Sequence, residues 1–143
     1  MQIDETDSRL IAALRENARA PVTDLAKRLG LSRTTVQSRL ERLERGGVIT
    51  GYTVRLSQTH ERGLIQAVVL ITVAPKQAPA VVAAVRAMPQ VRRLQSVSGE
   101  FDMIAEAATA TADEMDALID ALGALDGVAR TTSSIILSTK IDR

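Results

Sequence analysis

Residues 21–46, PVTDLAKRLGLSRTTVQSRLERLERG, decide the fold of the front of this 143-residue chain. Apolar residues recur at helical spacing in two short blocks, and the segment Gly30-Leu31-Ser32 separates these blocks. Pro21 suits the first position of one helix, Gly30 suits its end, and Ser32 is a good N-cap for the next helix. The stretch therefore predicts two helices that meet at a tight turn, which is a helix-turn-helix.

The second predicted helix carries a polar, cationic face opposite its apolar stripe of Val36, Leu40 and Leu43. In a helix-turn-helix, residues near the start of this helix reach base edges, while arginines and backbone N–H groups meet phosphates. A charged helix alone is more often a solvated surface, and Glu41 with Arg45 could be a simple i,i+4 pair. The compact capped turn favours DNA binding over that alternative. The predicted DNA contacts are Arg19 before the motif, then Ser32, Arg33, Thr34, Thr35, Gln37, Ser38, Arg39 and Arg42.

The segments that flank this motif predict the rest of a small domain and a hinge. Residues 4–17 predict a first helix with acidic residues near the positive end of its dipole. After the motif, the β-branched run 48–54 predicts an extended strand that acts as a wing or hinge, and the polar segment 57–63 predicts a linker. His60 lies in that linker as the only histidine, so we interpret it as a solvated side chain. The predicted divisions are a DNA-binding domain at 1–50, a hinge strand and linker at 51–63, and a second domain at 64–143.

The second half of the chain alternates strands with helices. The predicted strands span 66–73, 91–98, 101–107 and 128–138, and the predicted helices span 78–88 and 112–125. This βαββαβ order is the ferredoxin-like arrangement, in which both helices cover one face of a four-stranded sheet. The expected fold class is therefore α+β, with a winged-helix-like helix-turn-helix domain joined by a hinge strand to a ferredoxin-like βαββαβ domain.

The first of these strands indicates a partner. Residues 67–71 are apolar at every position, so both faces of the strand require burial, which a lone two-layer domain does not supply. A second copy of the sheet is the simplest cover. The resulting homodimer would place two helix-turn-helix units on one particle, as a palindromic DNA site demands.

Composition and charge exclude several classes of function. Hydrophobic residues make up 45% and charged residues 24%, no apolar run reaches membrane-spanning length, and the acidic start does not have the order of a secretory signal. We therefore expect a cytoplasmic, nucleoid-associated protein without a membrane partner. Residues 1–55 hold 10 Lys and Arg against 7 Asp and Glu, a net charge of +3, and the remainder holds 8 against 10, or −2. The absence of cysteine excludes disulfides and thiolate zinc sites, and we expect no metal and no cofactor.

Three segments together resemble the Lrp/AsnC transcription regulators, also called feast/famine regulatory proteins. They are IDETDSRLIAAL at 3–14, LAKRLGLSRTTVQSRLERLERGGVITGY at 25–52 and VSGEFDM at 97–103. The resemblance covers essentially the whole chain. It implies a dimer-based repressor or activator, often assembled into octamers, whose C-terminal domain binds a small molecule that is commonly an amino acid.

The resemblance also implies where the effector binds, between dimers at a loop of the C-terminal domain. The implied contacts are Gly99, Glu100, Phe101, Asp102, Thr131 and Ser133. Many members have Tyr where this chain has Phe101, so a hydroxyl contact is missing and the ligand's identity stays open. By their chemistry, Gly99 permits a left-handed turn, Asp102 can accept from an ammonium group, and Thr131 and Ser133 lie on one side of a strand. The same loop is equally explained as a turn whose aspartate satisfies backbone groups.

Two other classes of function were weighed against a DNA-binding regulator. An enzyme of the small ferredoxin-like class is disfavoured, because the chain has no cysteine, one linker histidine and no Gly-rich phosphate loop. We therefore predict a non-enzymatic protein. An architectural DNA-binding protein, or an orphan regulator without a ligand, remains the open alternative.

Overall fold

The structure, a computed structural model, describes residues 2–61 and 63–141. The chain divides into two compact units between Arg55 and Leu56, inside the predicted hinge and linker. In chain order the elements are α1 (Glu5–Glu16), α2 (Val22–Leu29), α3 (Arg33–Arg45), α4 (Gln58–Glu61), β1 (Ile65–Val73), a 3₁₀ turn (Pro75–Gln77), α5 (Ala78–Arg86), β2 (Val91–Ser96), β3 (Met103–Thr109), α6 (Ala112–Gly123) and β4 (Val128–Ile135). Every helix in the described ranges is too short or too polar to cross a lipid bilayer.

Helices α1, α2 and α3 pack around a common apolar core in the N-terminal unit. Its buried hydrophobic residues are Leu10, Ala13, Leu14, Leu25, Ala26, Leu29, Val36 and Leu43. A capping box begins α1, because the Asp4 carboxylate accepts the Asp7 N–H and the Asp7 carboxylate accepts the Asp4 N–H. The predicted first helix is therefore present, and Asp4 and Asn17 are its capping residues rather than its first and last helical residues.

The turn between α2 and α3 forms as its sequence predicts. Gly30 has a φ of +69°, and the Leu31 N–H donates to the Ala26 carbonyl, a pattern that closes the last turn of a helix. Ser32 begins α3, since its Oγ accepts the Thr35 N–H at 3.0 Å. The helix-turn-helix prediction is confirmed.

The predicted hinge strand is wrong for this chain by itself. Between α3 and α4 no strand forms within the described residues, and a short helix stands where a linker was predicted. A strand needs a neighbour to complete its hydrogen bonds, and no strand of the described chain pairs with this segment. Val54 and Leu56 accordingly project into solvent, 78% and 54% exposed. Tyr52 is held differently, because its hydroxyl donates to the Glu44 carboxylate at 2.7 Å.

The C-terminal unit has one antiparallel sheet with strand order β2-β3-β1-β4. With α5 and α6 as crossover helices, this topology confirms the ferredoxin-like prediction. Alternate β1 residues, Ala67 to Val73, are buried together with Val81 and Val85 of α5 and with Leu118 of α6. This side of the sheet is the helix-covered face.

The opposite side of the sheet, the helix-free face, is centred on Val68, Leu70 and Thr72 of β1. Leu70 lies opposite Ile104 on β3 and Thr132 on β4, and these opposed residues share a face. Val68 and Leu70 are only half-buried in the single chain. Both faces of β1 are therefore apolar, but only one has cover from the described part of the chain.

Candidate nucleic-acid interface and effector cleft

The exposed side of α3 forms a polar ridge made of Arg33, Thr34, Gln37 and Ser38, which we call the recognition ridge. These residues occupy two adjacent rows on one side of the helix, and all four are exposed. The ridge has a groove on either side. One groove is lined by the start of α2, from Pro21 to Thr23. The other is lined by Asp4 and by residues on the far side of α3.

Two predicted DNA contacts are occupied by the cap of α3. The Ser32 and Thr35 hydroxyls lie 2.7 Å apart and share a hydrogen bond, and Ser32 also accepts the Thr35 N–H. Thr35 is half-buried as a result. On the ridge itself, the Gln37 amide donates to Glu41 at 3.1 Å, which places a carboxylate at the edge of the ridge.

The expectation that Arg39 simply faces outward is wrong, because carboxylates hold it from two sides. Its Nη1 donates to Asp4 Oδ2 at 2.7 Å and to Asp7 Oδ1 at 2.8 Å, and its side chain is only 26% exposed. Arg42 Nη2 donates to Asp7 Oδ2. The physical reason is that the Asp7 side chain is fully buried, and a buried carboxylate requires paired cations.

The charges of this cluster set the ionisation of Asp7. Burial alone raises the pKa of the Asp7 carboxyl, but hydrogen bonds from Arg39, the Asp4 backbone and Arg42 outweigh it and lower that pKa to about 2. The bond from Arg39 likewise lowers the pKa of Asp4. Sequence reasoning missed both roles of these acids, because it assigned them only to the helix dipole.

Arg19 lies in the turn between α1 and α2, apart from the recognition ridge in sequence. It is exposed, and its backbone N–H donates to the Asn17 side chain at 3.0 Å. This short-range bond shapes the turn and leaves the phosphate contact of the Arg19 guanidinium as a prediction.

In the C-terminal unit, a cleft lies where the loop between β2 and β3 meets the helix-free face. Its floor includes Leu70 and Ile104, and its wall includes Ser96, Glu100 and Phe101. Gly99 has a φ of +111° in this loop, a conformation that side-chain-bearing residues rarely adopt.

Arg130 contacts two residues of the cleft, and sequence reasoning missed it. Its guanidinium carbon lies 5.7 Å from the centre of the Phe101 ring, and its Nη2 lies 3.4 Å from a Glu100 oxygen. It pairs with Thr72 and so belongs to the helix-free face. Alternation along β4 could have indicated it, because consecutive residues of a strand point to opposite faces, so Arg130 and Thr131 lie on different sides of the sheet.

The other predicted effector residues do not gather in this cleft within one chain. Thr131 and Ser133 lie opposite Ile71 and Val69, on the helix-covered face. Asp102 has a backbone role, because its Oδ2 accepts the Val73 N–H at 2.7 Å. Thus, of the six residues that the resemblance implies, four lie in the loop between β2 and β3 and two lie on the helix-covered face of the sheet.

No metal-binding group stands out in residues 2–61 and 63–141: nowhere there do three or more His, Asp or Glu side chains gather closely enough to hold an ion.

Comparison with known proteins follows the same division into two units. A family model for the AsnC-type helix-turn-helix domain matches residues 3–44, and one for the Lrp/AsnC ligand binding domain matches residues 66–143. The proline dehydrogenase transcriptional activator of Rhodobacter capsulatus is 35% identical over 146 residues, covering 99% of this chain and 94% of the relative.

Solved structures of transcriptional regulators are also similar to this chain over almost its whole length. The feast or famine regulatory protein of M. tuberculosis complexed with L-methionine is 34% identical, with a TM-score of 0.83 over 99% of this chain and 96% of that one. A transcriptional regulator of Neisseria meningitidis in complex with L-methionine is 26% identical, with a TM-score of 0.88 over 99% and 94%. With both domains matched in order, the chain belongs to the Lrp/AsnC family of transcriptional regulators and carries that family's DNA-binding helix-turn-helix.

Proposed function

We propose that the protein is a sequence-specific transcriptional regulator whose action on DNA responds to an amino acid bound at the C-terminal unit. Its partners are double-stranded DNA and further copies of itself, as a homodimer or a larger assembly such as an octamer, at the cytoplasmic nucleoid. The observation that carries the proposal is the combination of an exposed recognition ridge on α3 with a cleft beside Gly99.

The chemistry of the ridge supports base reading. Glutamine pairs well with adenine and arginine with guanine in the major groove, while small hydroxyls adapt to either. Gln37 and Arg33 therefore supply base-reading groups, and Thr34 and Ser38 let the helix approach the groove closely. Arg39 and Arg42 are less suited to base reading, because Asp7 holds both.

Gln37→Ala is expected to weaken binding to a specific site by about 1–3 kcal/mol while leaving random-sequence DNA nearly unaffected. The test is fluorescence anisotropy with the protein's own upstream DNA and a random duplex of equal length. Arg15→Ala, at an exposed position on α1, is the control and is expected to leave the ratio of the two affinities unchanged. Equal losses on both duplexes for Gln37→Ala would mean that the ridge does not read sequence.

The composition of the cleft supports an amino acid with an apolar side chain. Leu70, Ile104 and Phe101 offer apolar contact, and Ser96 and Ser98 offer hydroxyls at the rim. The two methionine complexes among the similar structures support the same ligand class. Asp102 follows Phe101 in the same loop but does not line the cleft, and it is the resemblance that implies contact between a ligand's ammonium group and the Asp102 oxygen that does not accept from Val73.

Asp102→Asn tests that contact without disturbing the loop. Asparagine keeps an acceptor oxygen for the Val73 N–H but removes the charge, so we expect a folded protein whose response to the amino acid weakens at least about tenfold. Asp102→Ala should lose the response and also about 1 kcal/mol of stability, because the Val73 N–H loses its partner. The measurement is DNA affinity across a panel of amino acids, with thermal unfolding alongside. A parental response in Asp102→Asn would exclude Asp102 from the site.

The orphan-regulator alternative has one observation in its favour. Arg130 lies near both Glu100 and Phe101, so the charged groups of the cleft satisfy each other without any ligand. If no amino acid in the panel changes DNA affinity or assembly state, this alternative replaces the ligand-responsive function.

A further inference from the structure

One side of the recognition ridge carries a charge-neutral cluster made of Asp4, Asp7, Arg39 and Arg42. Its two carboxylates and two guanidiniums are joined by three contacts of 2.5–2.8 Å. The other ion pair described in this unit is more exposed, since the side chains of Arg28 and Glu16 are both more than half exposed. The cluster is different because it is built around one fully buried carboxylate.

The two carboxylates of the cluster differ in what they are needed for. Asp7 is buried and bonds to both arginines, so it fixes their positions. Asp4 is 52% exposed and, of the two arginines, contacts only Arg39. Asp7 alone would leave the cluster with a net charge of +1, and Asp4 brings that charge to zero. Asp4 therefore neutralises the remaining positive charge of the two arginines, although the burial of Asp7 does not require this second carboxylate.

The location of Asp4 puts this cancellation beside the DNA-reading surface. Asp4 lines the same groove as Thr34 and Ser38 of the recognition ridge. When the ridge enters the major groove, the phosphates of the flanking strand pass along its sides. A free Arg39 charge there would attract any DNA, whatever its sequence.

We propose that Asp4 withholds Arg39 from DNA phosphates and so lowers the protein's sequence-independent affinity for DNA. This inference rests on the proposed DNA-binding function. Non-specific affinity comes almost entirely from neutralised phosphates, whereas the ridge supplies base contacts that need no net charge from Arg39. A carboxylate that cancels one cation thus lowers the phosphate-based part of the affinity, which every DNA sequence shares.

Asp4→Asn is the test, because it removes the charge and keeps the helix cap. Asparagine is as good an N-cap as aspartate, so its Oδ1 still accepts the Asp7 N–H. We expect the log–log salt dependence of binding to a random duplex to steepen by about 0.9. The loss of affinity between 50 and 200 mM salt should grow about threefold accordingly. The ratio of own-upstream to random-duplex affinity should stay near the parental value, because the released cation meets phosphates and not bases.

Glu5→Gln is the matched control, since it makes the same charge change one residue along at an exposed position outside the Arg39 contacts. It is expected to leave the salt dependence at the parental value. The double variant Asp4→Asn with Arg39→Gln should lose the gain, because the released cation is gone. Thermal unfolding of each variant reports whether the helical unit is intact.

The inference is overturned if Asp4→Asn binds a random duplex like the parent or more weakly, or if Glu5→Gln gives the same gain. It is also overturned if the gain survives the loss of Arg39. Failure of the proposed function gives a different result, because the parent would then bind its upstream DNA no better than a random duplex. The comparison of Asp4→Asn with the parent on random DNA would still test the role of Asp4. A parent that binds no DNA overturns both.

Discussion

Asp7→Asn is expected to lower the free energy of unfolding of the N-terminal unit by about 2–4 kcal/mol. The Asp7 side chain is fully buried between Arg39 and Arg42, and the amide would turn an NH₂ donor toward guanidiniums that also only donate. The two arginines are partly exposed and can turn to water, which keeps the loss within this range. Chemical denaturation followed by circular dichroism measures it.

The same residue predicts an acid-dependent stability. The pKa of Asp7 falls from its ordinary 3.8 to about 2 in the folded unit, so the ionised carboxylate stabilises the fold above about pH 4. This contribution, about 2 kcal/mol, is lost as the pH falls from about 4 to about 2. The Asp7→Asn variant has no carboxyl to protonate at this position, so its free energy of unfolding should fall less than that of the parent between about pH 4 and about pH 2. Asp24→Asn, an exposed aspartate on α2, is the control and should keep the parental acid profile. Identical profiles for Asp7→Asn and the parent would contradict the assigned role.

The helix-turn-helix could be predicted from the sequence because its signals are local. Gly30 with positive φ and Ser32 as N-cap act within a few residues of where they stand, and the structure places both as expected. The βαββαβ order was similarly accessible, because strand and helix periodicities differ along the chain itself.

The Asp7 contacts could not be predicted in the same way. Asp7 and Arg39 are 32 residues apart, and Asp7 and Arg42 are 35 apart, so their meeting depends on how α1 packs on α3. In the sequence, Asp7 has an adequate local explanation at the positive end of α1. Because that local explanation was sufficient, nothing in the sequence indicated the contacts of Asp7 with α3.

The faces of β4 illustrate a second limit. Alternation along a strand shows that Thr131 and Ser133 share a side, but only pairing with β1 decides which side that is. The register puts Thr131 opposite Ile71, on the helix-covered face, and leaves Arg130 beside Phe101. The hinge strand failed for a related reason, since β-branched composition favours an extended strand but no strand of the described chain pairs with this segment.

Leu70→Lys is expected to give a folded monomer that binds its DNA site about 10²–10⁴-fold more weakly. Leu70 is half-buried on the helix-free face, so in a single chain the lysine ammonium can reach water. Between two sheets the same ammonium would be buried without a partner, which opposes association. A monomer then presents one recognition ridge instead of two, and the gain from binding two half-sites together is lost. Val69→Lys should instead unfold the C-terminal unit, because Val69 is fully buried on the helix-covered face.

Light scattering, circular dichroism and DNA titration on the same preparation separate these outcomes. Ala121→Lys adds the same charge at an exposed position of α6, and we expect it to keep the parental assembly and affinity. If Leu70→Lys remains dimeric with parental affinity, the helix-free face is not the interface, and another surface joins the copies. If it becomes monomeric yet binds DNA like the parent, one ridge suffices for recognition. The expected result, a folded monomer with weak binding, would link the apolar pattern of β1 directly to operator recognition, because a face that cannot be covered within one chain brings two ridges to one duplex.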